Sequence, residues 1–147
     1  MGNETDIAKD YLGQIKKIDS LINNKIKERE QWFELATSCT AKLGDDKVQS
    51  SGSQQKMADA MHRCMEIDKE IEKYIDELID KKLEIINTIE KLPEKEYDVL
   101  HKIYIQELSF DETAESMKPP KSRSWVNSKH GIALQLLAEL LVSQENI

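Results

Sequence analysis

Breakers are scarce in this sequence: five glycines and three prolines in 147 residues. Aromatic side chains are few as well, and Leu, Ile, Lys, Glu and Asp dominate. That balance favours long helices over sheets. Cysteine is limited to Cys39 and Cys64, with no Cys-x-x-Cys pair. A disulfide framework is therefore not expected, and a reducing cytoplasm fits. No apolar run is long enough to span a bilayer, and the start is polar, without the pattern of a signal peptide. "MGNETD" begins Met-Gly, but Asp6 stands where a myristoylation signal has Ser or Thr. A phosphate-cradling glycine loop, a nucleophile elbow and a triad order are all missing, so we expect neither an enzyme, nor a cofactor, nor a small-molecule substrate. The formal charge of -7 argues against a general nucleic-acid coat or a membrane-surface binder. A local contact with nucleic acid stays open, because salt screens charges beyond about 8–10 Å.

One absence is local. No Asp or Glu occurs between Glu115 and Glu139, and this stretch holds Lys118, Lys121, Arg123 and Lys129. The rest of the chain explains where that patch lies. Over 7–38, Tyr11, Ile15, Ile18, Ile22, Arg29, Trp32 and Ala36 recur at helical spacing, which predicts an amphipathic helix. Residues 39–54, with two glycines, a serine run and Asp45-Asp46, predict a mobile loop. A second helix follows over 55–92. Met61, Cys64, Ile71, Ile75, Leu78, Ile85, Ile89 and Leu92 share a heptad seam with two off-type residues, Asp68 and Lys82. At about 57 Å, this helix must bury its stripe against the first helix folded back, against a second chain, or both. The expected fold is all-α: a helical hairpin over 1–92 for self-association, then a smaller helical domain over 93–147. Ile15, Ile18, Ile22, Trp32, Ile71, Ile75, Leu78 and Ile85 are the candidate self-association residues, with a homodimer as the expected state.

The chain changes character at Pro93. Proline at a helix start, with Glu94 and Glu96 in the first turn, predicts a helix over 93–106. Ser109 with Glu112 is a capping box for a short helix over 110–117. "KPPK" ends it. Ser122 or Ser124 then caps a last helix running to about Val142. A short helix joined to a more exposed one by a tight turn describes a helix-turn-helix. In that motif the last helix offers small polar groups and cations to the major groove and docks its apolar side on the bundle. Ser122, Arg123, Ser124, Asn127, Ser128 and Lys129 supply the polar half, and Val126, Ala133, Leu137 and Leu140 the apolar side. Arg reads guanine bidentately, and Asn can read adenine.

"LPEKEYDVLHKIYIQELSFDETAESM" followed by "SRSWVNSKHGIALQLL" resembles the region-four domain of bacterial sigma factors, over roughly 92–141. Leu92, Pro93, Val99, Leu100, Tyr104, Leu108, Ser109, Phe110, Glu112, Ala114, Met117, Ser122, Arg123, Ser124, Val126 and Ala133 carry the likeness. With the hairpin before it, the architecture resembles small phage-encoded regulators, including the ArpU-type late-gene transcription regulators. The resemblance implies a regulator of phage or prophage transcription that works in the cytoplasm of a bacterial host and binds double-stranded DNA, and it admits contact with host RNA polymerase. It departs at Thr113, where the family has Ile or Val, and at Gly131, which costs about 1 kcal/mol inside a helix relative to Ala. Leu134, Leu136 and Leu141 are more apolar than an exposed tail needs, and predict a contact with the N-terminal helices or another subunit.

The expected DNA contacts are Lys118, Lys121, Ser122, Arg123, Ser124, Trp125, Asn127, Ser128 and Lys129. Arg123, Ser124, Asn127 and Ser128 would read bases, and Lys118, Lys121 and Lys129 would hold phosphates. Trp125 has two readings, a stack on sugar or phosphate and a packing contact with the neighbouring helix. His130 has a half-buried structural role as its default. His62-x-Cys64 lacks a second pair of ligands at usable spacing, so no metal is expected. Two other functions compete. A phage DNA-packaging oligomer of the small-terminase kind also joins such a domain to a helical region. A pure interaction module would bind RNA polymerase and leave DNA untouched.

Overall fold

The computed structural model describes residues 2–45 and 51–145, with side chains for 4–38, 52 and 54–145. Among the described residues every regular element is helical: α1 Gly2–Asp45, α2 Ser51–Ile89, α3 Glu94–Leu100, a π-helical turn His101–Ile105, α4 Phe110–Ser116 and α5 Arg123–Glu145. No described helix is long and apolar enough to cross a membrane.

The expected loop over 39–54 is corrected. Residues 39–45 continue α1, and 51–54 open α2; 46–50 lie outside the described residues. A lone Gly44 raises the cost of the helix by about 1 kcal/mol without breaking it, no proline intervenes, and serine suits a first turn. At the other end α2 stops at Ile89. Lys91 N–H donates to Thr88 O and Leu92 N–H to Ile89 O, closing the turn into Pro93. The expected helix over 93–106 is α3 plus the π turn, in which Gln106 N–H donates to His101 O at 3.0 Å, five residues back.

Packing divides the chain into two compact units, Met1–Lys17 with Ile79–Ile147, and Ile18–Leu78. In the second unit α1 and α2 run antiparallel: Lys25 pairs with Glu70, Arg29 with Asp68, and Glu28 with Arg63. Ile22, Ala36, Ala60, Cys64 and Ile67 are buried there. Asp68, off-type as a heptad residue, is explained by Arg29, whose Nε donates to its Oδ1. His62 faces Glu66 across a helical turn at 2.9 Å, while Cys64 is buried.

In the first unit the buried apolar set is Ala8, Leu12 and Ile15 from α1, Ile85 and Ile89 from α2, Val99 and Leu100 from α3, Ala114 from α4, Met117 directly after it, and Val126, Ala133, Leu134, Leu137 and Ala138 from α5. Each large aliphatic side chain buried this way stabilises the fold by about 1.5–3 kcal/mol. Tyr11 and Thr88 share a hydroxyl hydrogen bond of 3.0 Å, joining α1 to α2. Leu141 lines a groove with Ile7, Tyr11, Gln144 and Glu145, so the apolar tail of α5 meets the start of α1.

The expected self-association residues separate accordingly. Ile15, Ile22 and Ile85 are buried within the single chain, Ile18, Ile71 and Leu78 are half-buried, and Trp32 and Ile75 remain exposed.

Candidate nucleic-acid interface

The polar face of α5 is held by two caps and a small core. Ser109 Oγ accepts from Glu112 N–H at 3.1 Å, and Glu112 Oε1 accepts from Ser109 N–H at 3.0 Å. The Ser109 N–H, then the Ser109 hydroxyl, hold the Glu112 carboxyl below its ordinary range. After α4 the chain turns extended at Met117. Lys121 N–H donates to Ala114 O at 3.0 Å, tying the turn back to α4. Ser122 then caps α5, its Oγ accepting from Trp125 N–H at 3.0 Å. Val99, Ala114 and Val126 form the buried centre, with Ile103, Phe110 and Trp125 packed on it.

On this frame Ser124, Asn127 and Ser128 project into solvent, with no side-chain partner among the described residues. Gly131 continues that line, and a Cβ built there meets nothing within 4 Å. The cations are less free. Arg123 Nη1 lies 3.4 Å from Asp111 Oδ2, both well exposed. Lys129 Nζ lies 3.2 Å from Oε1 of the buried Glu96. Lys121 and Lys129 also stand over the Trp125 ring, at 5.3 and 5.9 Å from its centre. Trp125 packs on the Val99–Ala114–Val126 core while part of its surface stays open. One edge of the ring borders an open groove of about 460 Å³ that Lys95, Lys102, Lys118 and Lys121 share with Glu94 and Asp98. Lys118 is exposed.

The family described as "Protein of unknown function (DUF1492)" matches residues 37–136. That is well over half of the chain. The chain belongs to this family. The match runs from the last turns of α1 to the middle of α5 and so takes in the caps, the small core and the polar face together. No curated protein and no solved structure matches the chain.

The pairing of Asp111 with Arg123 and of the buried Glu96 with Lys129 had no warning in the sequence. Asp111 lies in the first turn of α4, where an acid suits the helix dipole whatever its neighbours. Lys95 and Lys102 were also missed, though seven residues apart on a helix puts them on one face, and that spacing was available. Behind the face, His130 is half-buried against Tyr104, whose hydroxyl lies 2.8 Å from Nε2, and against the Phe110 ring at 5.0 Å. Burial, and then the charge of Lys9, hold the His130 pKa below its ordinary value. Among the described residues no cluster of His, Cys, Asp or Glu is arranged to hold a metal.

Proposed function

We propose that the chain is a DNA-binding regulator of phage or prophage transcription, with a sigma region-four-like helix-turn-helix formed by α4 and α5 and a homodimer formed through the α1–α2 hairpin. The observation that carries the reading is the line Ser124–Asn127–Ser128–Gly131. It is an exposed, slender, uncharged polar strip on a helix whose opposite side is docked on Val99 and Ala114. A strip of that kind suits close approach to base edges. The likeness of 92–141 to sigma region four supports the same reading.

In this reading Ser124, Asn127 and Ser128 meet bases, and Lys118, Lys121 and Arg123 meet phosphates or a guanine. Arg123 leaves Asp111 at little cost, because exposed ion pairs contribute little. Lys129 stays with Glu96 and holds α5 on α3. Fluorescence anisotropy with random-sequence duplex across a salt series tests this. Two phosphate contacts, or three where Arg123 also meets a phosphate, give a slope of log affinity against log salt of about -1.8 to -2.7. Asp111→Asn, which frees Arg123, raises affinity, and Arg123→Ala lowers it. Absence of binding at low salt sinks the reading.

The interaction-module alternative gains from one observation, that Arg123 and Lys129 are already neutralised by carboxylates. Capture of RNA polymerase that survives Arg123→Ala combined with Asn127→Ala would favour it. Ring-sized particles in light scattering would favour DNA packaging.

A further inference from the structure

The two sides of the Ile18–Leu78 hairpin differ. On α2, Met61, Asp68 and Ile75 are spaced by heptads, and Met65 lies one turn beyond Met61. On α1, Ile26 and Phe33 are a heptad apart with Arg29 between them. The Arg29–Asp68 ion pair therefore fixes both lines to the same side of the hairpin. Arg29 also stands over the Phe33 ring, 5.9 Å from its centre. The opposite side is charged along its middle, and beyond that stretch exposed Trp32 and Leu35 line a groove with Lys56, Asp59 and Ala60. Lys25 meets Glu70 at 2.8 Å, and Arg63 meets Glu28, Glu66 and Glu70 at 3.1, 3.2 and 3.4 Å. Leu35 shares the heptad position of Glu28 and belongs to that charged side.

On the first side the apolar residues keep much of their surface in water: Ile26 39 %, Phe33 43 %, Met61 41 %, Met65 61 % and Ile75 41 %. Met65 is the most exposed large apolar side chain among the described residues. At about 200 Å² for a complete side chain, these fractions leave roughly 450 Å² of apolar surface per copy. A standard interface takes about 800 Å² from each partner, of which about 450–520 Å² is apolar. The side thus holds what one half of a stable dimer needs. Covering this side desolvates one ion pair, Arg29–Asp68, whereas covering the middle of the opposite side desolvates a network of several. Glu72, a heptad past Met65, supplies a polar rim.

We propose that a second copy of this chain covers the Ile26–Phe33–Met61–Met65–Ile75 side, which forms the two-fold interface of a homodimer. The assignment rests on the dimer in the reading above and names its face. It also moves the interface off Ile15, Ile22 and Ile85, which are used up inside the chain.

Sedimentation equilibrium of the full chain tests it, with Met65→Glu and Ile75→Glu against Leu35→Glu. All three positions are exposed, and circular dichroism checks that each variant stays helical. The expected result is a wild-type dimer and a dimer constant weakened at least tenfold by Met65→Glu and by Ile75→Glu, with Leu35→Glu close to wild type. A dimer weakened by Leu35→Glu alone overturns the face and leaves self-association standing. A wild type that stays monomeric at hundreds of micromolar overturns both. DNA binding, measured separately on the same samples, reports on the rest of the reading in either case.

Discussion

Thr113 makes the sharpest test of how α4 is seated. It is fully buried, and its Oγ1 has no hydrogen-bond partner among the described residues. A buried hydroxyl without a partner costs about 1–3 kcal/mol relative to one left in water. Thr113→Val replaces that hydroxyl with a methyl group of nearly the same shape and keeps the branching at Cβ, so packing and χ1 are retained. The variant should be more stable by about 1–2 kcal/mol. For a chain of this size each kcal/mol moves Tm by about 2–4 °C, so the melt should shift up by roughly 2–8 °C. Thr113→Ser supplies the contrast. It keeps the hydroxyl and deletes the buried methyl, and should cost about 1 kcal/mol. Thermal and urea unfolding followed at the helical band measure both, with an unchanged m-value as the check that only the native state has moved. If Val lowers Tm while Ser leaves it unchanged, the hydroxyl is bonded in solution and the reasoning fails.

Two further predictions concern groups behind the interface. His130, facing Tyr104, Phe110 and Lys9, has a folded-state pKa below its ordinary 6.5. As pH falls below 6.5 the unfolded chain takes up the proton first, so stability drops until the folded value is passed. The urea midpoint should therefore fall from pH 7.5 to 5.5, and His130→Gln should remove that part of the dependence. An identical pH profile in the variant would show that His130 does not titrate differently on folding. Lys129→Met leaves the buried Glu96 without its cation, and should cost about 1–2 kcal/mol, less than a wholly buried pair because Lys129 keeps 27 % of its side chain in water. Its salt slope on DNA should match wild type. A slope lower by about one with no loss of stability would make Lys129 a phosphate contact instead.

Much of the fold was legible because it rests on local rules. The capping box of Ser109 and Glu112 depends on residues three apart, and Pro93 with Glu94 and Glu96 marks a helix start without reference to anything distant. The hairpin ends were misjudged because glycine and serine signal a turn only on average. A helix already propagating gains a hydrogen bond per residue, and can carry Ser38 and Gly44 through to Asp45. The π turn at His101–Ile105 was not legible. Tyr97, Leu100, Ile103 and Tyr104 fit an ordinary helical stripe, and one extra residue in a turn leaves that pattern intact.

The candidate interface was half legible. Counting along the chain, 116–138 is free of acid. In space the fold returns Asp111 to Arg123 and Glu96 to Lys129. Charge along a sequence is therefore a poor measure of charge on a surface, since a patch is assembled from α3, α4 and α5 at once. What the count does predict is composition on the outward line of α5 alone, where Ser124, Asn127, Ser128 and Gly131 carry no charge of either sign. A cation-rich surface would bind any polyanion. A neutral polar line selects by the fit of its donors and acceptors, because a mismatched partner leaves polar groups unpaired, while the exposed Arg123–Asp111 pair opens at little cost. In the proposed reading, specificity resides in Ser124, Asn127 and Ser128, joined by Arg123 where it meets a guanine, and affinity in the phosphate contacts of Lys118 and Lys121.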